Sequence, residues 1–165
     1  METLKAVSAR HSTRSYSGKP VSRGLVEKIV DAGRLAATAR NEQPWEFVAV
    51  TDAGVRGKLA ELAENGAFIS QVPVCVVLFC KDTKYCVEDG SAATQNMLVA
   101  AADLGVQSCW VAGDKKPYAE AVARMLKAPQ GCRLISLVAL GHAARASEPR
   151  APKRPLAQVL HWESF

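Results

Sequence analysis

Residues 72–80 read VPVCVVLFC, an apolar run with no charge or amide in it. A strand with one wet face alternates apolar and polar side chains, so an unbroken, β-branched run reads as a strand covered on both faces. CRLISLVALG at 132–141 is a second buried strand. The rest of the chain has to supply the cover. In SRGLVEKIVDAGRLAA, Leu25, Ile29, Ala32 and Ala36 recur at helical spacing behind Ser22, a good N-cap after Pro20. DAGVRGKLAELAE (52–64) reads as a helix capped by Asp52, and KPYAEAVARMLKA (116–128) as another. The strongest helix is EDGSAATQNMLVAAADLG (88–105), with Ala93, Met97, Ala100, Ala101 and Leu104 along one stripe and Gly105 as its stop. That stripe is rich in small residues, so something packs close to it. WEFVAV (45–50) and QSCWVAG (107–113) complete the set as strands. Strand and helix alternate from Trp45 onward, a pattern that by itself favours a doubly wound parallel sheet.

The chain of 165 residues has no Gly/Ser-rich or Pro-rich linker and reads as one domain spanning 1–165. No start segment pairs a basic region with an apolar one, and no run approaches the roughly 20 apolar residues that cross a bilayer, so a cytoplasmic protein without membrane partners is expected. Five cysteines with no CxxC pair argue against a disulfide framework and against a metal site. The formal charge of +5 is concentrated near the N-terminus (Lys5, Arg10, Arg14, Lys19, Arg23) and in RASEPRAPKRP (Arg145, Arg150, Lys153, Arg154). No GxGxxG follows a strand and no GxxxxGK[ST] occurs, so a bound phosphate would need another holder.

Three segments carry candidate chemistry. In RHSTRSY an extended backbone points Arg10, Ser12 and Arg14 the same way, and arginine's planar fork suits a phosphate; a solvated basic surface is the plain alternative. In RNEQPW, Asn41 offers a mixed amide edge, and Gln43, preceding Pro44, is expected to be extended; a turn anchored by a buried Trp45 explains the same residues. In SCWVAGD, Gly113 permits close backbone approach, and the amides of Ala112 and Gly113 can donate to a planar ligand; an ordinary strand-to-helix turn explains the same residues. Nothing local marks Cys109 with His142 or His11 as a nucleophile pair. His161 and Trp162 read as packing groups.

Taken together and in order, RHSTRSY with SGKPV, AATARNEQPWEFVAVTD, DGSAATQNMLVAAADLGVQSCWVAG, and LVALGHAA with APKRPLAQVLHWE resemble the nitroreductase family of FMN-dependent oxidoreductases over nearly the whole chain. The resemblance replaces the parallel sheet with an α+β fold: a central mixed, largely antiparallel sheet flanked by helices. It implies an intertwined homodimer in which 88–105 is the central dimer helix and each of two FMN sites is built from both chains. Arg10, His11, Ser12 and Arg14 match the motif that holds the FMN phosphate and ribityl chain, and Lys153 and Arg154 match the C-terminal motif that closes on the phosphate. Ala37, Thr38 and Asn41 occupy the loop that reaches the other chain's isoalloxazine ring, with Ala37-Thr38 where Pro-Ser is common. Ala112 and Gly113 match the segment whose backbone amides face the ring. No catalytic side chain and no metal ligand is implied.

The implied reaction is ping-pong: NADH or NADPH reduces FMN and leaves, and a nitroaromatic, quinone or similar electron-poor acceptor replaces it. The chain is short between Phe47 and Gln95, so an open, poorly selective pocket is expected. Two alternatives stand beside this reading: a flavin-binding member without NAD(P)H reductase activity, serving storage, sensing or ferredoxin-linked transfer, and a polyanion-binding domain. Against the second, the basic clusters lack interleaved aromatics, and no nucleic-acid partner is expected.

Overall fold

The computed structural model describes residues 2–145 and 152–165; Arg150 of the second basic cluster lies outside the described residues. The helices are α1 (Thr3–Ala9), α2 (Arg23–Arg34), α3 (Ala53–Leu62), α4 (Cys86–Asp103) and α5 (Ala119–Met125). The strands are β1 (Trp45–Val50), β2 (Val74–Lys81), β3 (Gln107–Ala112) and β4 (Cys132–Gly141). Both expected caps are in place: Ser22 Oγ accepts from the Leu25 amide at 3.4 Å, and Asp52 Oδ1 from the Val55 amide at 2.8 Å. The helix expected at 88–105 begins two residues earlier, at Cys86, and α1 has no counterpart in the sequence reading.

The strands lie in the order β1-β2-β4-β3, and each neighbouring pair is antiparallel. The α+β architecture is therefore the observed one, and the doubly wound parallel sheet suggested by alternation is not. The reason is geometric. β2 and β3 do run parallel to each other across the α4 crossover, as a strand–helix–strand unit demands, but they leave one strand's width between them. β4 fills that gap and opposes both.

Burial of the two apolar runs, complete except at Pro73, Cys132 and Arg133, follows from this order, because β2 and β4 are the inner strands. Below the sheet, Cys75, Val77 and Phe79 of β2 and Leu137 and Ala139 of β4 pack with Leu59 of α3, Val122 of α5 and the turn residues Phe68 and Ile69. On the other side, Val74 and Val76 meet Val138, Leu140, Ile29 of α2, and Met97 and Ala101 of α4. Trp45 closes that layer with Leu78, Cys80, Ala93 and Ile135. One irregularity interrupts the pairing. The register shifts between Leu78 and Phe79, whose partners are Ser136 and Leu134, so Ile135 is an extra residue on β4. That bulge places Ile135 in the α4-side cluster while the next side chain, Ser136, exchanges a 2.8 Å hydroxyl bond with Thr94 of α4.

Helix α4 lies hard against the bulge at Gly90, where an added Cβ would stand 2.9 Å from Cys80 Sγ and from both γ carbons of Ile135. Gly90→Ala is expected to lower stability by about 1–3 kcal/mol through overpacking, read as a lower urea midpoint at unchanged slope. An unaltered midpoint would show that α4 can lift off the sheet at no cost.

Candidate functional site

The N-terminal motif is held by the free edge of the sheet. β3 is an outer strand, and the segment after α1 lies along it, with an isolated parallel bridge between Ser12 and Ser108. The Thr13 amide donates to Ser108 O at 3.0 Å, and Thr13 Oγ1 to Gln107 Oε1 at 3.3 Å. Further on, the Ser17 amide donates to His142 O at 2.9 Å, and Tyr16 forms a bridge with Ala143 just past β4. The extended backbone expected for RHSTRSY is what this pairing requires.

Two clefts flank the pairing. A smaller one of about 190 Å³ is lined by Arg10, His11, Gln107 and Ser108, and His11 Nδ1 donates to Ala9 O at 3.1 Å. A larger one of about 460 Å³ is lined by Arg14, Phe68, Cys109, Trp110, Ala112 and Tyr118, with Glu64 and Lys116 adding one charge of each sign. Arg10 thus opens onto the smaller cleft and Arg14 onto the larger one.

Backbone alternation decides which amides a ligand in the larger cleft can use. The Gly113 amide donates to Ile135 O at 2.9 Å, so in this antiparallel pair the odd-numbered residues of β3 turn their backbone groups toward β4 and the even-numbered ones turn outward. Ser108 O is used by Thr13, and Ala112 O accepts from the Tyr118 hydroxyl. The outward amides of Trp110 and Ala112 then face the open edge. Of the two residues singled out in the sequence, Ala112 offers its N–H and Gly113 does not. The glycine has a packing reason, since a Cβ there would stand 2.5 Å from Leu134 Cγ.

The other sequence-predicted residues lie elsewhere. Thr38 Oγ1 donates to Asp89 Oδ2 of α4 at 2.7 Å, while Ala37 and Asn41 are exposed. Gln43 is not extended: its φ is 47°, and its amide donates to Thr38 Oγ1 at 3.1 Å, which holds it in the left-handed region despite the following proline. Lys153 and Arg154 are exposed, and Arg154 Nη2 donates to Gln158 O at 2.6 Å rather than to any group of the N-terminal motif. Trp162 is 78% exposed, so it does not pack on its own chain as expected, and His161 stacks at 4.6 Å on Phe165. Sequence reasoning missed Phe68, Lys116 and Tyr118, which reach the cleft from a turn below the sheet and from the start of α5. No local pattern marks them, because only the tertiary fold brings them to Arg14.

Three of the thiols are held in their protonated form. Burial pushes Cys109 up against the opposing pull of Arg14, the Ser12 hydroxyl and Arg10. Burial likewise pushes Cys75 and Cys80 from 9.0 up to about 12. Among the described residues no cluster of three metal-ligating side chains occurs. In the fold these two thiols hold their protons to about pH 12, whereas the unfolded chain releases them from 9.0. The folded state binds more protons in that window, so this contribution is complete below it and is lost as pH rises through it. Urea midpoints are expected to fall steadily as pH rises above 9.0; a flat profile would contradict the buried, protonated thiols.

The sequence profile of the nitroreductase family matches residues 7–88 and 81–142. The chain is 35% identical over 149 residues to an Archaeoglobus fulgidus protein provisionally named NADH dehydrogenase/NAD(P)H nitroreductase, covering 86% of this chain and 85% of that one. It is 26% identical over 187 residues to the FMN reductase (NAD(P)H) of Bacillus subtilis, covering 99% of this chain and 74% of the relative. A crystal structure from Parabacteroides distasonis, with the same provisional name as the first relative, superimposes with a TM-score of 0.92 at 26% identity, covering 99% of this chain and 98% of that one. With the profile spanning most of the sequence and the fold shared from end to end, the chain belongs to the nitroreductase family.

Proposed function

We propose that the protein is an FMN-dependent oxidoreductase that passes electrons from NADH or NADPH to an electron-poor acceptor such as a nitroaromatic or quinone. The observation that carries this reading is the pairing of residues 12–13 with the outer edge of β3, which puts a guanidinium, Arg14, and an outward backbone amide, Ala112, on one cleft of about 460 Å³. A planar, polar ligand with an anionic tail suits that donor set: hydrogen bonds at one edge, cations at the other end. The names of the relatives, FMN reductase and NAD(P)H nitroreductase among them, point to the same ligand.

In this reading Arg10, His11, Ser12 and Arg14 bind the phosphate and ribityl chain, with Lys153 and Arg154 closing on the phosphate. Ala112 orients the ring through its backbone donor, and Tyr118 fixes that strand end by bonding to Ala112 O. Phe68 and Trp110 provide apolar surface at the cleft. FMN, when bound, stores the two electrons between donor and acceptor, and the protein contributes binding, orientation and access. No side chain is needed as a catalytic base.

The active species is a homodimer with shared FMN sites. Its support is the C-terminal arm, where Leu156, Val159, Leu160, Trp162 and Phe165 are all exposed, a concentration of open apolar side chains that suits a protein partner. A second copy covers it, and the loop holding Ala37, Thr38 and Asn41 reaches that copy's ring. Free cysteines and the absence, among the described residues, of a helix able to cross a membrane fit a cytoplasmic site of action.

Titration with FMN followed by anaerobic NADH or NADPH tests the reading. Bound flavin bleached by at least one donor and reoxidised by a quinone is expected; protein that takes up no FMN refutes it, and flavin that neither donor bleaches leaves the non-reductase alternative. Arg10→Ala and Arg14→Ala should each weaken FMN binding by on the order of 1.5–3 kcal/mol, the range for hydrogen bonds to charged groups. Truncation before Pro152 should give a monomer with weakened FMN binding, measured by light scattering; a dimer that persists assigns the contact to other surfaces.

A further inference from the structure

Helix α4 contains two acidic residues in its first turn, and they behave differently. Glu88 is exposed, where it meets the positive end of the helix. Asp89 is turned inward and only 5% exposed. Both of its oxygens are used on a single loop: Oδ2 accepts from Thr38 Oγ1 at 2.7 Å and Oδ1 from the Ala39 amide at 3.1 Å. The same Thr38 hydroxyl accepts from the Gln43 amide at 3.1 Å. One carboxylate thus holds the start of the segment from 38 to 43 directly, and its end through the Thr38 hydroxyl.

That segment is not a shape the chain adopts by default. Arg40, Asn41 and Gln43 have φ of 54°, 58° and 47°, and none is glycine. Left-handed residues of this kind persist only where surrounding structure determines them. The preceding helix is fixed to the same support, since Asn96 of α4 donates to Ala32 O at 3.1 Å and Gly33 lies against Met97. The loop's form is therefore set by α4.

We propose that Asp89 is a positioning residue, holding the loop from Thr38 to Gln43 in the shape that presents Ala37 and Asn41 to the flavin of a second copy of the chain. The proposal rests on the functional reading above. Asp89 touches neither cofactor nor substrate in it; it acts through Thr38 and the backbone of Ala39.

The test compares wild type, Asp89→Ala, Thr38→Val and the double variant in two assays. In the apo protein, trypsin should cut after Arg40 on the order of 10-fold faster in each variant, as expected for local release of a loop. In the FMN-loaded enzyme, kcat/KM should fall by on the order of 10-fold with a shifted flavin absorption band, since small misplacements of a positioning group are costly. The double variant should lose less than the product of the two single losses, because the Thr38–Asp89 bond is common to both. Equal cleavage rates overturn the proposal. So do an intact kcat/KM and flavin band in both single variants, and a double loss equal to the product of the single ones. If Asp89→Ala unfolds, it will be cut throughout its length, and Thr38→Val, which keeps the side-chain shape, decides. Failure of the functional reading shows separately, as wild-type protein that takes up no FMN.

Discussion

The inner position of β2 and β4 is the constraint from which the rest of the structure follows. Two apolar strands side by side need a layer on each face, which fixes α2 and α4 on one side and α3 and α5 on the other. They also need a strand beyond each, which makes β1 and β3 the edges. β1 is continuous with the loop anchored on α4, and β3 supplies the edge where the N-terminal motif docks. Both parts of the candidate site are thus borders of the buried centre. The centre itself has no chemistry to do.

Much of this was legible in the residues. The two apolar runs gave the inner strands, Ser22 and Asp52 gave helix starts through their side-chain oxygens, and the stripe on α4 faces the sheet at Ala93, Met97 and Ala101. Strand direction was not legible. Alternation of strand and helix is the same whether the next strand lands beside its predecessor or one place further on, and only the insertion of β4 distinguishes them. Helix α1 escaped because it has seven residues and buries only Ala6, so it leaves no stripe.

The candidate site divides along the same line. RHSTRSY declared its charges and its extended shape, and both hold. The choice between Ala112 and Gly113 as donor depends on pairing parity, which a sequence without a register does not contain. Asn41 and Gln43 lie in the left-handed region, where the Gln43 amide donates to a Thr38 hydroxyl that is itself bonded to Asp89, 51 residues further along the chain. Local preference before a proline pointed the other way and was overridden by the hydrogen bond to Thr38.

The pairing of Ser12 and Thr13 with Ser108 also bears on solubility. An outer strand with free amides and carbonyls is a template on which other chains can add, and β3 lies beside β4, one of the two buried apolar strands. The N-terminal segment occupies part of that edge with its own backbone and brings arginines to it. The contact that organises a binding site therefore also blunts a sticky border, and a chain that lost this segment would be exposed to sheet-to-sheet aggregation as well as to loss of ligand.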